Sequence, residues 1–305
     1  MSDVAVITGT THGIGRVTSR ELARAGRTVV MLCRDLDAGR AVGAEILAQL
    51  PRAAVHVVHC DLASLHAVRA SAAAVRSAYG RIALLVNNAG MVSTRHRMSV
   101  DGFELTFATN HLGPFLLTAL LLDRLTENAR VITVASRAHF RARLDFERIT
   151  NPRAPYNAMA AYAQSKLANV MHTFALARRL AGTGICVNCL HPGVVATNLL
   201  PRWLRLIKPL LSPEILNVED GARTTLYLAL SDAVGGVTGR YFDERQQAAP
   251  AATLANDVQL QETLWNKSSL WVAAMPPLAT GLADTSEADA HVVSLAQPRM
   301  IVRNP

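Results

Sequence analysis

The chain has 305 residues, half of them apolar, and a net charge of +8 carried almost wholly by arginine, since its only lysines are Lys166, Lys208 and Lys267. Its length fits one large α/β domain or two small ones, with enough apolar matter for a sizeable core. The arginines are scattered and few aromatics accompany them, which argues against a nucleic-acid-binding surface.

Apolar runs of strand length alternate with helical patterns along the chain. "VAVITG" reads as a strand and "RVTSRELARAG" as a helix. "TVVMLCR" and "AGRAVGAEILAQL" repeat the pair, then "AVHVVHCDL" and "LHAVRASAAAVRSAYG", then "IALLVNNAG" and a mostly helical stretch from Gly102 to Leu125. "ARVITVAS" is a strand, Ala160 to Leu180 a helix and "ICVNCLHPG" a further strand; "EDGARTTLYLAL" is helical and "GRYFDE" a short strand. The strands are continuously apolar, so both faces are expected to be buried. The alternation predicts a single Rossmann-type, doubly wound parallel sheet with helices on both faces. Residues 1–275 are read as this domain, and residues 276–305, which turn polar and mixed after "MPP", as a loosely ordered tail.

Cys186 and Cys189 have the spacing of half a zinc site, but no second pair exists, and positions three apart on a strand face opposite ways. Cys33, Cys60, Cys186 and Cys189 are therefore expected as buried free thiols, with no metal bound. The start "MSDVAVITGTTHG" has no basic segment followed by an apolar run and cleavage site, and the uncharged stretch from Leu105 to Leu122 contains Asn110, His111 and Pro114. The expectation is a cytoplasmic protein with no signal peptide and no integral membrane segment.

"TGTTHGIG" (Thr8 to Gly15) directly follows the first strand and opens the first helix. Glycines at 9, 13 and 15 let the backbone turn tightly and approach a pyrophosphate, which the helix N-terminus meets with amide donors; a plain strand-to-helix turn is the alternative. Further motifs follow in order: "CDL" (Cys60 to Leu62), "NNAG" (Asn87 to Gly90), Asn110 in "TNHLG", Ser136 after the fifth strand, "YAQSK" and "HPGVVAT" (His191 to Thr197). Together they resemble the short-chain dehydrogenase/reductase family, in its compact, non-extended branch, over about residues 3 to 272. "ASRAH", "YAQSKLANV", "LARRL" and "TLWNKSS" resemble its retinol dehydrogenase-like subgroup, without that subgroup's membrane-anchoring N-terminal segment.

The resemblance implies a nicotinamide dinucleotide held by Gly9, Thr11, His12, Gly13, Ile14 and Gly15, by Asp61 and Leu62 beside the adenine, and by Asn88, Ala89 and Gly90. Pro192, Gly193, Val195 and Thr197 are implied on the nicotinamide side. Taken singly, Asp61 also fits a helix cap and Pro192-Gly193 a simple turn.

Tyr162 and Lys166 stand four apart, so on a helix they share a face. A free phenol, with a pKa near ~10, is a poor base at neutral pH, and a neighbouring ammonium is expected to lower it. Tyr162 then serves as general acid/base for alcohol-carbonyl interconversion. The resemblance implies that Lys166 also binds the nicotinamide ribose, that Ser136 hydrogen-bonds the substrate oxygen and that Asn110 completes a proton relay through water.

The second strand ends on neutral Cys33 followed by Arg34, whereas a site for NAD(H) places an acid there. The expected cofactor is NADP(H), with Arg34 as phosphate donor and His12, in the glycine loop, as a second; a solvated Arg34 is the alternative. Residues 197–217 read as a substrate lid, with Trp203 and Leu206 among its apolar lining; plain packing or contact with a lipid surface are the other readings. The function expected is NADP(H)-dependent oxidation or reduction of a mainly apolar small molecule. The alternative is a non-catalytic nucleotide-sensing protein on the same fold. A homodimer through the helices around Gly102 to Leu125 and Ala160 to Leu180 is the default assembly, with Leu167, Val170, Met171 and Phe174 as core or interface.

Overall fold

The computed structural model describes residues 3–152, 155–195, 215–274 and 293–294. Its nine-stranded sheet has the order β10-β9-β6-β5-β4-β1-β2-β3-β11. The strands are β1 (Val4–Thr8), β2 (Thr28–Cys33), β3 (Val55–His59), β4 (Ile82–Asn87), β5 (Leu125–Val134), β6 (Cys186–Leu190), β9 (Arg240–Phe242), β10 (Ala248–Ala249) and β11 (Val293–Ser294). All pairings from β3 through β9 are parallel; β10 and β11 add antiparallel edges. A separate pair, β7 (Val194–Val195) and β8 (Ile215–Leu216), is also parallel.

The expected doubly wound architecture follows from where the strand side chains go. Along β1, Val4 and Val6 face one layer while Ala5 and Ile7 face the other. The first layer holds α3 (Leu65–Ala78), α5 (Gly113–Leu121), α7 (Ala158–Arg179) and α9 (Val258–Ala273). The second holds α1 (Gly13–Arg24), α2 (Leu36–Gln49) and α8 (Val218–Leu230). Both faces of the central strands are buried, which is why their sequences do not alternate. The chain order reverses between β1 and β4, and that crevice at the carboxyl ends of the strands is where such sheets bind ligands.

The helix expected over Gly102 to Leu125 is instead composite: α4 (Leu105–Phe107), a π-helical turn (Ala108–Leu112), then α5. The run Leu105–Arg124 is long and apolar enough to cross a membrane by length and composition, yet 72% of its most apolar 18-residue window is buried within this fold. Phe107, Leu112, Leu117 and Leu121 are fully buried core there.

Leu167, Val170 and Met171 are also fully buried within the one chain, and Phe174 is half-buried against the same core. Of the two readings offered for these residues, core or interface, the fold makes Leu167, Val170 and Met171 core. α9 packs on α7, with the Arg179 guanidinium 3.9 Å from the centroid of the Trp265 ring and Trp265 stacked on His172. A short α6 (Phe146–Thr150), capped by Asp145, precedes α7. All four cysteines are free and buried, as expected. Of the expected tail, only Val293–Ser294 is among the described residues, where it pairs with β3.

Candidate active site

The glycine loop lies between β1 and α1. Gly9 and Gly13 have φ of 71° and 59°, in the left-handed region that glycine enters without steric penalty. A Cβ at Gly15 would collide with the Gly9 carbonyl oxygen and stand 2.5 Å from Asn88 Nδ2. The loop is held from the next strand: Asn88 Nδ2 donates to the Thr8 and Gly9 carbonyls at 2.9 and 3.1 Å, and the Asn88 and Ala89 amides both donate to Thr8 Oγ1 at 3.0 Å.

α1 begins after His12, whose side chain makes no capping hydrogen bond, and no acidic residue stands in the first turn. Its amino end thus offers uncapped amides and a positive dipole end beside a cradle that a side chain at Gly15 would fill. This fits a dinucleotide pyrophosphate. Ile14 is buried beneath the loop, packed with Val195 from the far side. Thr11 Oγ1 lies 3.0 Å from His12 Nδ1, so that nitrogen is already engaged within the loop.

At the end of β2, Cys33 is buried, and burial pushes its thiol up to about 11. Arg34 is exposed and makes no hydrogen bond or ion pair among the described residues. Asp35 caps α2, its carboxylate accepting from the Ala38 amide at 2.9 Å. Asp61 accepts from the Ala63 amide at 3.0 Å, while the cap of α3 is Ser64, so Asp61 is not that helix's cap. Leu62 is buried against Gly113, where a Cβ would stand 2.9 Å from Leu62 Cβ.

The π-helical turn carries Asn110, which is fully buried. Its Oδ1 accepts from the Met91 amide at 2.8 Å, and its Nδ2 donates to the Met91 carbonyl and to Ser165 Oγ, each at 2.9 Å. Ser165 in turn donates 2.7 Å to the Tyr162 carbonyl. The side chain expected to organise water is thus a clamp between the Gly90–Met91 segment and α7. Gly90 lies beneath Lys166: a Cβ there would stand 3.3 Å from Lys166 Nζ.

Lys166 is 3% exposed and donates to the Val134 carbonyl at 2.8 Å. Burial lowers its pKa to about 8. Its ammonium lies 5.7 Å from the Tyr162 ring centroid. Ser136, just past β5, caps the turn Arg137–Arg141 by accepting from the Ala138 amide at 3.2 Å. Its side chain lies beside the Tyr162 phenol; burial raises the Tyr162 pKa, and the polar Ser136 side chain opposes the rise. The expected net lowering by Lys166 is therefore not found: burial prevails, and the ammonium is turned to the Val134 carbonyl.

Pro192 and Gly193 follow β6. Gly193 has φ of 84°, and a Cβ there would meet Leu216 Cδ1 at 2.5 Å, so β7 and β8 can close only over a glycine. Val195 is buried. Thr197, Trp203, Leu206 and the rest of the expected lid up to 214 lie outside the described residues. No group of three or more potential metal ligands occurs among the described residues.

Sequence reasoning missed the partners Met91, Val134 and Ser165. It also missed His191, buried with neither ring nitrogen hydrogen-bonded, and the exposed apolar side chains Phe140, Met159 and Val194. Ser165 had a signal, as the residue before lysine in "YAQSK", and His191 and Val194 stood within "HPGVVAT" without a role read for them; backbone partners carry none.

The family model described as short chain dehydrogenase matches residues 3–205. Human retinol dehydrogenase 13 is 39% identical over 290 residues, 89% of this chain and 85% of that protein. An uncharacterized protein from Mycobacterium paratuberculosis superposes with a TM-score of 0.73 at 35% identity, covering 89% of this chain and 93% of its own. A metagenomic blue fluorescent protein in complex with NADPH has a TM-score of 0.64 at 27% identity, covering 79% and 95%. A 3-ketoacyl-(acyl-carrier-protein) reductase from Brucella melitensis complexed with NADH has a TM-score of 0.63 at 27% identity, covering 79% and 96%. The fold and site define a nucleotide-dependent oxidoreductase, and the chain belongs to the short-chain dehydrogenase/reductase family, similar to its retinol dehydrogenases.

Proposed function

We propose that the protein uses NADP(H) to interconvert an alcohol and a carbonyl on a mainly apolar small molecule. What carries this reading is the meeting of Ser136, Tyr162 and Lys166 at the carboxyl ends of the strands, with Asn110 tied to the same helix through Ser165. When bound, the cofactor supplies or accepts a hydride at the substrate carbon.

Tyr162 is the general acid/base at the substrate oxygen. Its buried phenol is kept protonated, the form that gives a proton to a nascent alkoxide. Ser136 donates a second hydrogen bond to the same oxygen, polarising a carbonyl. Lys166 is held against the sheet by Val134 and orients the nicotinamide ribose, with a proton to replace the one Tyr162 gives away. Asn110 fixes the Gly90–Met91 wall facing Lys166. The glycine loop and the uncapped amino end of α1 hold the pyrophosphate, and Arg34 reads the 2′-phosphate.

An apolar substrate is supported by the side chains nearest these residues in the chain. Phe140, Met159 and Val194 are 50%, 60% and 48% exposed. They flank Ser136, Tyr162 and Pro192 respectively. Exposed apolar side chains this near in sequence to the polar catalytic groups suit the rim of a site for an apolar ligand.

The test is NADPH oxidation with a panel of aldehydes, ketones and quinones of increasing apolar size. Turnover that rises with apolar size supports the proposal. Tight NADPH binding without turnover of any member favours a nucleotide sensor instead.

A further inference from the structure

His191 continues β6 past its formal end. Its amide donates 2.9 Å to the Phe242 carbonyl, while the Ala135 amide donates 2.7 Å to the Leu190 carbonyl. The pairing of Val134 with Leu190 therefore sets His191 beside Ala135, one residue from Ser136. Strand side chains alternate: Cys189 faces the layer of α7, and Leu190 the opposite layer. His191 accordingly lies on the α7 side, the side that carries Tyr162.

The residue is 4% exposed, yet neither Nδ1 nor Nε2 has a hydrogen-bond partner among the described residues. A neutral imidazole always presents one N–H and one lone pair, and buried polar groups are nearly always paired. Its neighbour His139 shows the usual condition: Nδ1 lies 2.6 Å from the Ser136 carbonyl, and Nε2 accepts from the Ala252 amide at 3.1 Å. Packing alone at the His191 position would be served better by an apolar residue.

The charges around His191 are of both signs. Arg137 opposes Glu244 and Asp243, with His139 also near, and burial dominates, holding the ring neutral at about 4. Asp243 is already engaged by the Arg245 and Gln247 amides, each at 2.9 Å. A neutral donor-acceptor in a charge-balanced setting matches an uncharged oxygen rather than a carboxylate or phosphate.

We propose that His191 is the second polar anchor of the substrate site, hydrogen-bonding a hydroxyl or carbonyl that an otherwise apolar substrate carries apart from its reacting oxygen. The inference rests on the assignment of the reacting oxygen to Ser136 and Tyr162. It narrows the substrate class to apolar molecules with two oxygen functions.

The test compares decan-2-one with the series that carries one added hydroxyl at each successive chain carbon. It also compares equilibrium binding of decan-2-ol and the matching diols by calorimetry to the protein loaded with NADPH, with which an alcohol cannot react. One member of the hydroxylated series should exceed the parent in kcat/KM, and its diol should exceed decan-2-ol in affinity, by about tenfold, the worth of one well-made hydrogen bond. In His191→Phe, or in His191→Met should the larger ring not fold, both ratios should fall to about one. His191→Gln, which keeps a donor and an acceptor, should retain part of each. Diols that bind wild type no better than decan-2-ol overturn the proposal. So do substitutions that weaken parent and hydroxylated ligands by the same factor, or that alter only NADP(H) affinity. If wild type reduces none of the ketones, the assignment of Tyr162 fails, and the diol-to-alcohol binding ratio still decides the role of His191.

Discussion

The Lys166 ammonium lies 5.7 Å from the Tyr162 ring centroid and points at the Val134 carbonyl, 2.8 Å away. Burial drives the two groups in opposite directions: the phenol up, the ammonium down to about 8. Each shift favours the neutral form, as desolvation does, and together they place the ammonium below the phenol and widen the small gap that separates the two in water. A proton passed from Lys166 to a Tyr162 phenolate then runs downhill, which suits the proposed relay that reloads the phenol after each turnover.

Tyr162→Phe should remove most turnover while leaving NADPH affinity nearly intact, because on the proposed mechanism the phenol hydroxyl serves the reacting oxygen and not the cofactor. General acid/base groups contribute roughly a hundred- to ten-thousandfold. Lys166→Ala should damage both turnover and cofactor affinity, since the ammonium has two tasks. Steady-state rates and NADPH fluorescence titrations check both; a Tyr162→Phe protein that keeps near-full rate with several substrates contradicts the proton-transfer role.

Gly15 tests the cradle. A methyl group there would meet the Gly9 carbonyl and Asn88 Nδ2, both fixed by hydrogen bonds. Gly15→Ala should therefore displace the loop, weakening NADPH by at least about tenfold, with an overpacking cost of about 1–3 kcal/mol in stability. At Gly80 a Cβ would meet nothing within 4 Å, so Gly80→Ala is the matched control and should change neither. Equal NADPH affinity in the two variants would show that the cofactor does not approach this turn.

His111 and His172 supply a pH-dependent term. Both are buried among Phe115, Trp265 and Ser268 where α9 covers α7, and burial lowers them from 6.5 to about 3 and about 4. Because the folded values are depressed, their contribution is fully present above the unfolded pKa of 6.5. It is lost as pH falls through the window down to about 4 and below, the unfolded chain binding the extra protons. At pH 5 the loss is about 2 kcal/mol for each histidine. His172→Phe keeps an aromatic ring against Trp265 but cannot titrate, so urea unfolding of this variant should show about half the fall in stability from pH 7 to 5 that the two histidines give together. An unchanged slope would mean that this cluster does not govern the acid response.

Much of this was legible in the sequence, for physical reasons that also mark the limits. The β1–loop–α1 unit announces itself because a fully buried strand must be apolar throughout and the turn admits only glycine at Gly9 and Gly15. Asn110, Ser136, Tyr162 and Lys166 were legible as an ordered set of motifs. The π-helical turn at Ala108–Leu112 was not: widening one turn changes backbone bonding without changing the apolar pattern on which a helix is recognised. The early start of β5 at Leu125 was hidden by exposed Glu127 and Asn128, which interrupt the run where the register with β4 shifts. Burial of Leu167, Val170 and Met171 depends on elements distant in sequence, so a core stripe and an interface stripe look alike in the chain. The Tyr162 pKa direction failed for the same reason: spacing shows that an ammonium is near, but not where it points or how deeply the phenol is buried.

The proposed preference for NADP(H) rests on Arg34. A site that favours NAD(H) takes the ribose hydroxyls on a carboxylate at the end of the second strand. Here that position is Cys33, buried and held as a neutral thiol by burial, and the next side chain is an exposed guanidinium with no partner among the described residues. The nearest carboxylate in sequence, Asp35, is committed to the Ala38 amide as the cap of α2, so it is occupied at the helix start. A guanidinium free of ion pairs can take a 2′-phosphate bidentately, an interaction stronger than a neutral hydrogen bond. Arg34→Ala should raise the Michaelis constant for NADPH by about tenfold or more and leave that for NADH nearly unchanged, since only the former carries the phosphate. Arg34→Lys should recover part of the loss, because it keeps the charge but not the fork. Raising ionic strength should weaken NADPH in wild type more than in Arg34→Ala, as an exposed ion pair is screened. Equal effects of Arg34→Ala on the two cofactors, or a wild type that prefers NADH, would show that Arg34 does not read the phosphate.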